Sequence, residues 1–432
     1  MSTRIGFVGM THLGLVSATG AAAKGFEVIG YDPDPALIAR LQAGDLPVLE
    51  PGLQELLAAN GCRQQFTNQI EKLRACDVVY IAPDVPTDDQ GHSDLTEIKA
   101  LIDKVIINLG ADTILVILCQ VPPGFTHSLP MPASRLYYQV ETLIFGQAVQ
   151  RTMEPERFII GCADPKTPLP TSYRQWLEAF RCPILPMRYA SAELAKISIN
   201  MCLVASISVA NTLAEVCEEI DADWSEIVPA LRLDRRIGPY SYLNPGLGIA
   251  GGNLERDLTT VLSLASAHGC DSGVVAAWVA NSHHRKEWSF KALQAEVLDH
   301  KPEARIGVLG LAYKENTHSI KNSPALALLR CLDSPVSVIV HDPVVSAAAC
   351  GLAVAVATEP LQVAENADAI VIMTPWPIYK TLDPKALATR MTGHTIIDPY
   401  RVLQAQAVNA AGLDYVTLGA PPLRTRLNED RT

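Results

Sequence analysis

The chain has 432 residues, of which 48% are apolar and 19% are charged, and its formal net charge is -11. This composition is typical of a globular protein with two or three domains and excludes a disordered chain. The negative charge argues against nucleic acid or an anionic membrane as the main partner, so any phosphate site must be local. We find no signal-peptide pattern and expect no membrane-spanning run, which together favour a cytoplasmic protein.

The ten cysteines form no CxxC pair and no cluster with metal-ligand spacing. Most of them lie inside apolar segments, where a free cysteine is usually a small core residue. The sequence therefore predicts reduced thiols and no metal site.

The N-terminal segment predicts a dinucleotide site. An apolar strand at 4–8 is followed by the hexapeptide Gly9–Gly14 (G-M-T-H-L-G), a helix, and a second strand at 27–31 that leads into Asp32. In this arrangement a diphosphate lies at the helix N-terminus, and an acid such as Asp32 accepts from the adenosine ribose, which favours NAD over NADP. Thr11 replaces the middle glycine, and its Cβ is expected to weaken or tilt the cofactor, although its hydroxyl could bond a phosphate oxygen. A Rossmann-like fold without a ligand is the alternative.

Strands and helices alternate along most of the chain. Further strands are predicted at 77–82, 113–119, 157–162, 305–310, 336–342, 368–374 and 395–398. We therefore predict an α/β protein with two Rossmann-like, doubly wound parallel-sheet domains joined by a central long-helix domain. The expected boundaries are 1–188, 189–300 and 301–432, and the last dozen residues are expected to form a loose tail. Loops 83–91 and 120–124 follow strand ends, where ligands bind in such sheets.

A long helix is predicted from 192 to about 220. Apolar residues at spacings of three and four form its predicted inward stripe: Leu194, Ile197, Met201, Val204 and Ile207. Lys196 and Asn200 are one turn apart on another face. A lone lysine in this position is more often a solvated surface residue.

A glycine-rich loop follows at 244–257 (N-P-G-L-G-I-A-G-G-N-L-E-R-D), with four glycines in fourteen residues. Glycine serves where the backbone takes a positive φ or comes very close to a ligand. The loop lies between two strand-rich segments and predicts a place where a substrate is gripped. A mobile linker is the alternative, but such a linker would be richer in Ser and poorer in Leu and Ile.

The ordered motifs resemble the UDP-glucose/GDP-mannose dehydrogenases over nearly the whole chain. They are Gly9–Gly14 with Asp32, 46–53 (L-P-V-L-E-P-G-L), 156–161, 192–200, 236–239, the glycine loop to Asp257, 310–317 and 323–325. The resemblance implies an enzyme that binds NAD in its first lobe and the nucleotide of a nucleotide sugar, UDP most commonly, largely in its third. It also implies a homodimer built by the middle helix.

The family oxidises a sugar C6 alcohol to a carboxylate in two hydride transfers. A cysteine thiolate captures the intermediate aldehyde, a second hydride leaves a thioester, and water hydrolyses it. By resemblance, Lys196 and Asn200 stabilise developing oxyanions, Asp257 positions a water, and Glu141 assists hydrolysis. Arg236 then reaches the substrate across the dimer interface, and Lys314 lies near the sugar and phosphates.

The candidate site residues form three sets. The catalytic set is Lys196, Asn200, Asp257, Glu141 and Asn253. The cofactor set is Gly9, Thr11, His12, Leu13, Gly14, Asp32, Pro86, Cys119 and Gln120. The substrate set is Arg236, Gly251, Gly252, Lys314, Lys321 and Arg401.

Several of these residues depart from the family pattern. Asn253 stands at the nucleophile position or next to it, and no cysteine occurs in the loop. The family Ser-Thr after the fourth strand reads Cys119-Gln120, and two family arginines read Lys321 and Tyr400, the latter followed by Arg401. A carboxamide cannot form a thiohemiacetal or a thioester.

Three functions are compatible with this pattern. In the favoured one, the enzyme removes one hydride, and the aldehyde or ketone is the product or, in an epimerase, a transient. In the second, Cys119 is a relocated nucleophile that preserves four-electron oxidation. In the third, catalysis is lost and a module that binds a nucleotide sugar or a partner remains. Thr11 favours the third, and the retained Lys196, Asn200, Asp257 and Glu141 speak against it.

Overall fold

The computed structural model describes residues 3–88 and 91–425. The described chain forms two compact units, one of residues up to 88 together with 92–199, and one of residue 91 together with 200–425. Each unit has its own β-sheet. The division falls inside the long helix and does not separate 200–300 from the segment that follows, so the expected three-domain organisation stays a prediction.

The first unit alternates strands and helices from its N-terminus. Its strands are β1 (Arg4–Val8), β2 (Glu27–Tyr31), β3 (Gln64–Thr67), β4 (Val78–Ile81), β5 (Ile114–Ile117), β6 (Leu136–Gln139), β7 (Phe158–Cys162) and β8 (Ile184–Arg188). Its helices are α1 (His12–Ala23), α2 (Pro35–Gln42), α3 (Leu53–Ala59), α4 (Thr96–Ile106), α5 (Ala148–Met153), α6 (Thr171–Glu178) and the first part of α7 (Tyr189–Glu219).

These strands form one eight-stranded sheet in the order β3-β2-β1-β4-β5-β6-β7-β8. The first six strands in this order are parallel, with the strand order of a dinucleotide-binding fold. The doubly wound α/β prediction is confirmed, but the sheet is mixed. β7 runs antiparallel to β6, since the chain leaves β6 and enters β7 at the same end of the strands.

Both faces of this sheet are covered. In β4, Val78 and Tyr80 belong to one apolar cluster, and Val79 and Ile81 belong to another. Successive side chains of a strand point to opposite faces, so a strand buried on both sides reads as a continuous apolar run. The sequence showed such runs clearly for β1, β4 and β5 but not for the interior strand β6.

The second unit begins with helices and continues as a second α/β sheet. Its helices are the remainder of α7, then α8 (Trp224–Leu233), α9 (Asn253–His268), α10 (Gly273–Lys286), α11 (Trp288–Leu293), α12 (Pro324–Cys331), α13 (Pro384–Arg390) and α14 (Ala405–Ala410). Its strands are β9 (Arg305–Leu309), β10 (Ser337–His341), β11 (Ala355–Val356), β12 (Ala369–Ile372), β13 (Thr395–Ile397) and β14 (Asp414–Val416). The sheet order is β11-β10-β9-β12-β13-β14, and all neighbours are parallel.

The C-terminal segment is more ordered than expected. Leu423 bridges to Tyr415 through two backbone hydrogen bonds of 2.9 Å. Arg424 pairs with Glu296 on the π-helical turn after α11, and the amide of Thr425 donates to Asp414 at 2.7 Å. The expectation of a loose tail was therefore wrong for 421–425. The rest of that predicted tail, 426–432, lies outside the described residues, as do positions 89 and 90 of the predicted loop 83–91.

The long helix α7 also differs from two expectations. By length and composition alone it is apolar enough to cross a bilayer, with a mean hydropathy of 1.6 over its most apolar window, of which 39% is buried. Its buried residues include Glu193 and Asn211, at 0% and 1% exposure, as is usual for a helix packed inside a protein. Leu194, predicted to face inward, is 45% exposed, while Ile197 and Val204 are buried as predicted.

In the second unit, a carboxylate holds the turn that follows β9. Asp342 comes directly after β10 and accepts from the amides of Leu311 and Ala312 at 2.7 and 3.1 Å. It also accepts from Trp376 Nε1 at 3.1 Å and from two amides of its own loop. One side chain thus fixes the ends of two neighbouring strands.

We predict that Asp342→Ala destabilises the second unit by about 3 kcal/mol or more, because several donors lose their acceptor together. The first readout is faster hydrogen exchange at the amides of Leu311 and Ala312. The matched control is Asp333→Ala, which removes an exposed carboxylate from the same unit. Equal exchange in both variants would show that the hydrogen bonds of Asp342 contribute little.

Candidate active site

The turn after β1 has the backbone geometry of a dinucleotide-binding turn. Gly9 has a φ of 89°, and a Cβ there would lie 2.8 Å from Pro83. A Cβ on Gly14 would lie 1.8 Å from the carbonyl oxygen of Gly9, so only glycine lets α1 pack against the turn. Leu13 between them is buried. The structure thus requires glycine at the first and last positions of the predicted hexapeptide, because a Cβ at either position would clash.

Asp32 lies at the end of β2 and faces this turn. One carboxylate oxygen accepts from the amide of Met10 at 2.7 Å, and the other accepts from the amide of Asp34 at 3.0 Å. The residue is 8% exposed. Because an ionised carboxylate offers about four lone-pair directions, each oxygen retains capacity for a further donor. This arrangement fits the adenosine ribose of NAD.

The diphosphate end of the turn is arranged differently. Thr11, the residue at the middle-glycine position, accepts through Oγ1 from the amide of Asp84 at 2.8 Å. Asp84 Oδ2 in turn accepts from the amide of His12, the first residue of α1, at 3.1 Å. The helix N-terminus predicted to receive a phosphate is therefore already bonded to a carboxylate. The adenosine half of NAD fits these residues, whereas its diphosphate would meet a negative charge.

The side chain of His12 points into the protein. Its Nε2 lies 2.9 Å from Glu50 Oε2, and its ring packs 4.2 Å from the ring of Phe145. Glu50, whose side chain is fully buried, also accepts from the amides of Gly146 and Ala148 at 3.0 and 2.8 Å. This pair fastens the segment after β6 to the start of α1. The contribution predicted for His12 at the cofactor can come only from its backbone amide.

The remaining cofactor candidates lie on loops at the carboxyl ends of the parallel strands. β1, β4, β5 and β6 are parallel, so the segments that follow them meet at their carboxyl ends. Pro86 is exposed in the loop after β4, Gln120 is half-buried after β5, and the thiol-bearing Cys119 is fully buried at 0% exposure.

The loop after β5 is held from inside the protein by Glu193 of α7. Its two carboxylate oxygens accept from the amides of Gly124 and Thr126 at 2.6 and 2.8 Å. Glu193 has 0% exposure, and these bonds compensate the burial of its charge.

Lys196 and Glu141 form an ion pair in the first unit. Lys196 Nζ lies 3.3 Å from Glu141 Oε2, and the two side chains are 12% and 17% exposed. Glu141 also accepts from the amide of Leu143, which turns the segment after β6 back on itself. Lys196 is therefore not the solvated surface lysine that its sequence context also allowed.

Asn200 and Asp257 form a hydrogen bond in the second unit. Asn200 Nδ2 donates to Asp257 Oδ2 at 2.5 Å, and the residues are 7% and 1% exposed. Arg256 Nε lies 3.6 Å from the other oxygen of Asp257. A carboxylate this deeply buried needs such partners, because burial of a polar group without hydrogen bonds is costly.

The glycine loop is built into the second unit rather than hanging free. Gly251 has a φ of 89°, and a Cβ on it would lie 2.7 Å from the ring of Tyr313. Its amide donates to the carbonyl of Lys321 at 3.0 Å. Gly252 has a φ of 90° and precedes α9. Burial raises the pKa of Tyr313 to about 12, so its phenol stays protonated at neutral pH. These contacts disfavour the linker alternative.

Asn253 is the first residue of α9 and is exposed. Two positions further, Glu255 accepts from Lys286 Nζ at 3.0 Å and from the side-chain amide of Asn322. The N-terminus of α9 is thereby tied to α10 and to the segment before α12.

The two arginines of the predicted substrate set differ in their surroundings. Arg236 is 89% exposed and bonds Asp234, two residues away, at 2.5 and 3.0 Å. Arg401 is bound to the N-terminus of α8, at 2.8 Å from Asp223 and 3.0 Å from Ser225 Oγ. The structure thus gives Arg401 a structural contact and leaves Arg236 largely in solvent.

The two lysines of that set lie after β9. Lys314 Nζ is 5.7 Å from the centre of the Tyr313 ring, and Lys321 contributes its carbonyl to Gly251. Both side chains are half-buried and belong to the second unit with the glycine loop.

Sequence reasoning missed four acidic residues that shape these sites: Glu50, Asp84, Glu193 and Glu255. Glu50 and Glu193 stand inside motifs that were noted, but no sequence pattern named their partners. Asp84 belongs to the loop 83–91, which was predicted to lie where ligands bind, and the prolines and aspartates of that loop were the available sign of a carboxylate there.

Three segments of the chain match the domain models of one family. Residues 3–177 match the NAD binding domain of the UDP-glucose/GDP-mannose dehydrogenase family, residues 190–283 its central domain, and residues 307–405 its UDP binding domain.

Individual relatives agree with this match. UDP-glucose 6-dehydrogenase TuaD of Bacillus subtilis is 30% identical, over 98% of this chain and 94% of its own. UDP-glucose 6-dehydrogenase of Rhizobium meliloti is 29% identical, over 97% and 100%. The solved UDP-glucose dehydrogenase of Pyrobaculum islandicum is 26% identical with a TM-score of 0.85, covering 97% of this chain and 98% of that one. The chain therefore belongs to the UDP-glucose/GDP-mannose dehydrogenase family, and it is an NAD-dependent oxidoreductase that acts on a nucleotide sugar.

Proposed function

We propose that the protein oxidises a nucleotide sugar, of which a UDP-sugar is the first candidate, by a single hydride transfer that yields an aldehyde or ketone. The observation that carries this proposal is the exposed Asn253 at the start of α9, in a loop without a thiol. A carboxamide cannot hold the carbonyl carbon tetrahedral for a second hydride transfer.

The burial of Cys119 supports the same proposal. Its residue has 0% exposure within an apolar cluster of the first unit. A nucleophilic thiol needs a thiolate and access to its substrate, and an apolar surrounding opposes both. Cys119 is thus a poor replacement nucleophile.

The retained polar pairs support catalysis rather than binding alone. In the proposed step the C–H bond of the sugar carbinol gives up its electron pair as hydride, and NAD supplies the acceptor. Lys196 and Asn200 stabilise the negative charge on the carbinol oxygen, and its proton passes through a water positioned by Asp257. Glu141, in the family the carboxylate of hydrolysis, here holds Lys196 at 3.3 Å.

The proposal predicts one NADH for each sugar consumed. We would incubate the protein with NAD and a panel of nucleotide sugars, follow NADH absorbance, and measure the mass of the untrapped product. Hydroxylamine added only after the reaction is quenched then identifies a carbonyl group as its oxime. A product two mass units lighter than the substrate is expected. Two NADH and a carboxylate would overturn the proposal, a changed stereochemistry without NADH would establish an epimerase, and unaltered sugar with retained binding would establish a binding module.

Asn253→Cys is the companion variant in that experiment. It restores a thiol at an exposed position, but Glu255 keeps its bonds to Lys286 and Asn322 and so fixes the local backbone. We expect the thiol to react with an alkylating probe without raising the yield to two NADH per sugar. Clean four-electron turnover would show that the thiol alone was missing.

We predict that Lys196→Ala lowers the rate of hydride transfer by about 10²-fold to 10³-fold, because it removes one positioned charge from the developing oxyanion. Binding of the nucleotide sugar, measured by calorimetry, is expected to persist. Lys104→Ala, at an exposed position of α4, is the control and should leave the rate unchanged. If hydride transfer survives in Lys196→Ala, the role assigned to this lysine is wrong.

We further propose a homodimer through the central helix. Four apolar side chains are more than two-fifths exposed: Val209, Leu213 and Val216 on the second-unit part of α7, and Ile220 directly after its end. Their spacings of four, three and four place them on one face of the helix, which suits contact with a second copy. The exposed Arg236 is available to such a partner. A cytoplasmic location is proposed from the ten free cysteines.

This interface predicts that Leu213→Glu shifts the mass in solution from dimer to monomer, because a charge in the middle of an apolar contact stays desolvated and unpaired. Light scattering during size-exclusion chromatography measures the mass. Thr212→Glu, at the neighbouring exposed position, is the control. A wild-type protein that is monomeric would contradict the proposed dimer.

A further inference from the structure

The loop after β4 places an acidic side chain at the cofactor turn. Asp84 is fixed at two points, because its amide donates to Thr11 Oγ1 at 2.8 Å and its carboxylate accepts from the amide of His12 at 3.1 Å. The carbonyl of Thr11 accepts from the amide of Leu15, but its side chain makes no capping hydrogen bond to α1, so Asp84 provides the acceptor that a capping side chain usually gives.

The position of this carboxylate bears directly on cofactor binding. The first amides of a helix that follows a glycine turn are where the diphosphate of a dinucleotide is bound. Of the fingerprint residues, His12 provides the first of those amides, and Asp84 occupies it. A diphosphate and a carboxylate cannot both accept from that amide without strong repulsion, because like charges a few ångströms apart are costly in a protein environment.

The local field adds to this repulsion. Loss of hydration raises the pKa of the Asp84 carboxyl above its usual value, Glu141 raises it further, and Thr11 and His12 oppose the rise. The negative charges of Asp84 and Glu141 therefore already disfavour one another. A diphosphate placed at the same amide would add to that negative potential.

The contacts of Asp84 also allow its carboxylate to leave the N-terminus of α1. The backbone of Asp84 is held by Thr11. Its carboxyl group has lost hydration where it bonds His12, but the residue as a whole is exposed, so rotation of the side chain away from α1 returns the carboxylate to water. This displacement exchanges the hydrogen bond with His12 for hydration and frees the amide for phosphate. It needs no change in the fold of the turn.

We propose that Asp84 sets the affinity of the enzyme for NAD, as an internal anion that must leave the N-terminus of α1 before the diphosphate binds. The proposal rests on NAD as the cofactor and adds a residue that limits its binding. Thr11 is a positioning residue for Asp84, because its hydroxyl accepts from the amide of Asp84 and holds that loop against α1.

The test compares NAD binding to the wild type, Asp84→Asn and Asp84→Ala by calorimetry. Asparagine keeps an acceptor for His12 without the charge, so the turn is expected to fold, and alanine removes the group altogether. We expect both variants to bind NAD about tenfold more tightly than the wild type, as removal of a like charge at close range predicts. Raising the salt concentration should narrow the difference, because salt screens the repulsion.

Two controls separate the phosphate effect from others. Asp103→Asn removes an exposed carboxylate of α4 in the same unit and should bind NAD as the wild type does. Adenosine carries no phosphate, and its affinity, measured by competition with NAD, should be the same in all proteins. An equal gain for adenosine would overturn the proposal, because the effect would not act through the diphosphate.

The failure of this inference and the failure of the cofactor assignment give different results. NAD binding that is unchanged or weaker in both Asp84 variants, with measurable binding in the wild type, overturns the inference alone. Absence of NAD binding in every protein, including both Asp84 variants, overturns the cofactor assignment together with it. Binding that appears only after Asp84 is replaced supports the inference most strongly.

Discussion

An aspartate at the carboxyl end of one strand fastens the turn of the neighbouring strand, and this contact recurs in both sheets. In the first unit Asp32 accepts from the amide of Met10 at 2.7 Å, and in the second Asp342 accepts from that of Leu311 at 2.7 Å. The loops that bear the candidate site residues start from these fastened ends. The two carboxylates differ in how many further hydrogen bonds they can accept. Asp342 accepts five hydrogen bonds, which saturates it, whereas Asp32 accepts two and retains lone pairs for a ribose. The same fold thus provides a ribose acceptor in one sheet and a purely structural clamp in the other.

The sequence predicted most of the strands that are buried on both faces, and it missed the interior strand β6 and the four strands at the sheet edges. The bounds of β1 and β2 were correct to the residue, because continuous apolar runs ended by glycine or aspartate identify them. Four of the five missed strands, β3, β8, β11 and β14, lie at sheet edges, where one side of the strand is open and polar residues are tolerated. The fifth, β6, is an interior strand, and its four residues L-Y-Y-Q do not form a continuous apolar run. β8 even contains Pro186, which only an edge strand accommodates. The reversal of β7 was equally invisible, since the direction of a strand leaves no mark in its composition.

For the site, residue types were predictable and their partners were not. Lys196, Asn200 and Asp257 were named from ordered motifs, and Glu141 by the resemblance alone. Their pairing follows from tertiary packing over 55 and 57 residues of chain. The missing thiol was also visible in the sequence. What it could not show is that the carboxylate of Asp84 faces the helix N-terminus, because loop conformation depends on side chains from several strands. Only the structure shows what a threonine does at the middle-glycine position: its hydroxyl accepts from the amide of Asp84 and so holds the loop that carries this carboxylate.

Under the proposed single hydride transfer, the state of the cofactor site bears on whether the reaction is a net oxidation or an epimerisation. An epimerase must keep its reduced cofactor in place until the hydride returns, so it benefits from a tight diphosphate site. A dehydrogenase that releases its carbonyl product must instead exchange NADH for NAD in every turnover. A carboxylate that returns to the amide of His12 whenever the diphosphate leaves stabilises the empty turn and so favours exchange. The glycine loop has no thiol that could retain an aldehyde between two hydride transfers. The carbonyl product is therefore released in the same turnover in which NADH is exchanged for NAD. This reasoning places net oxidation ahead of epimerisation.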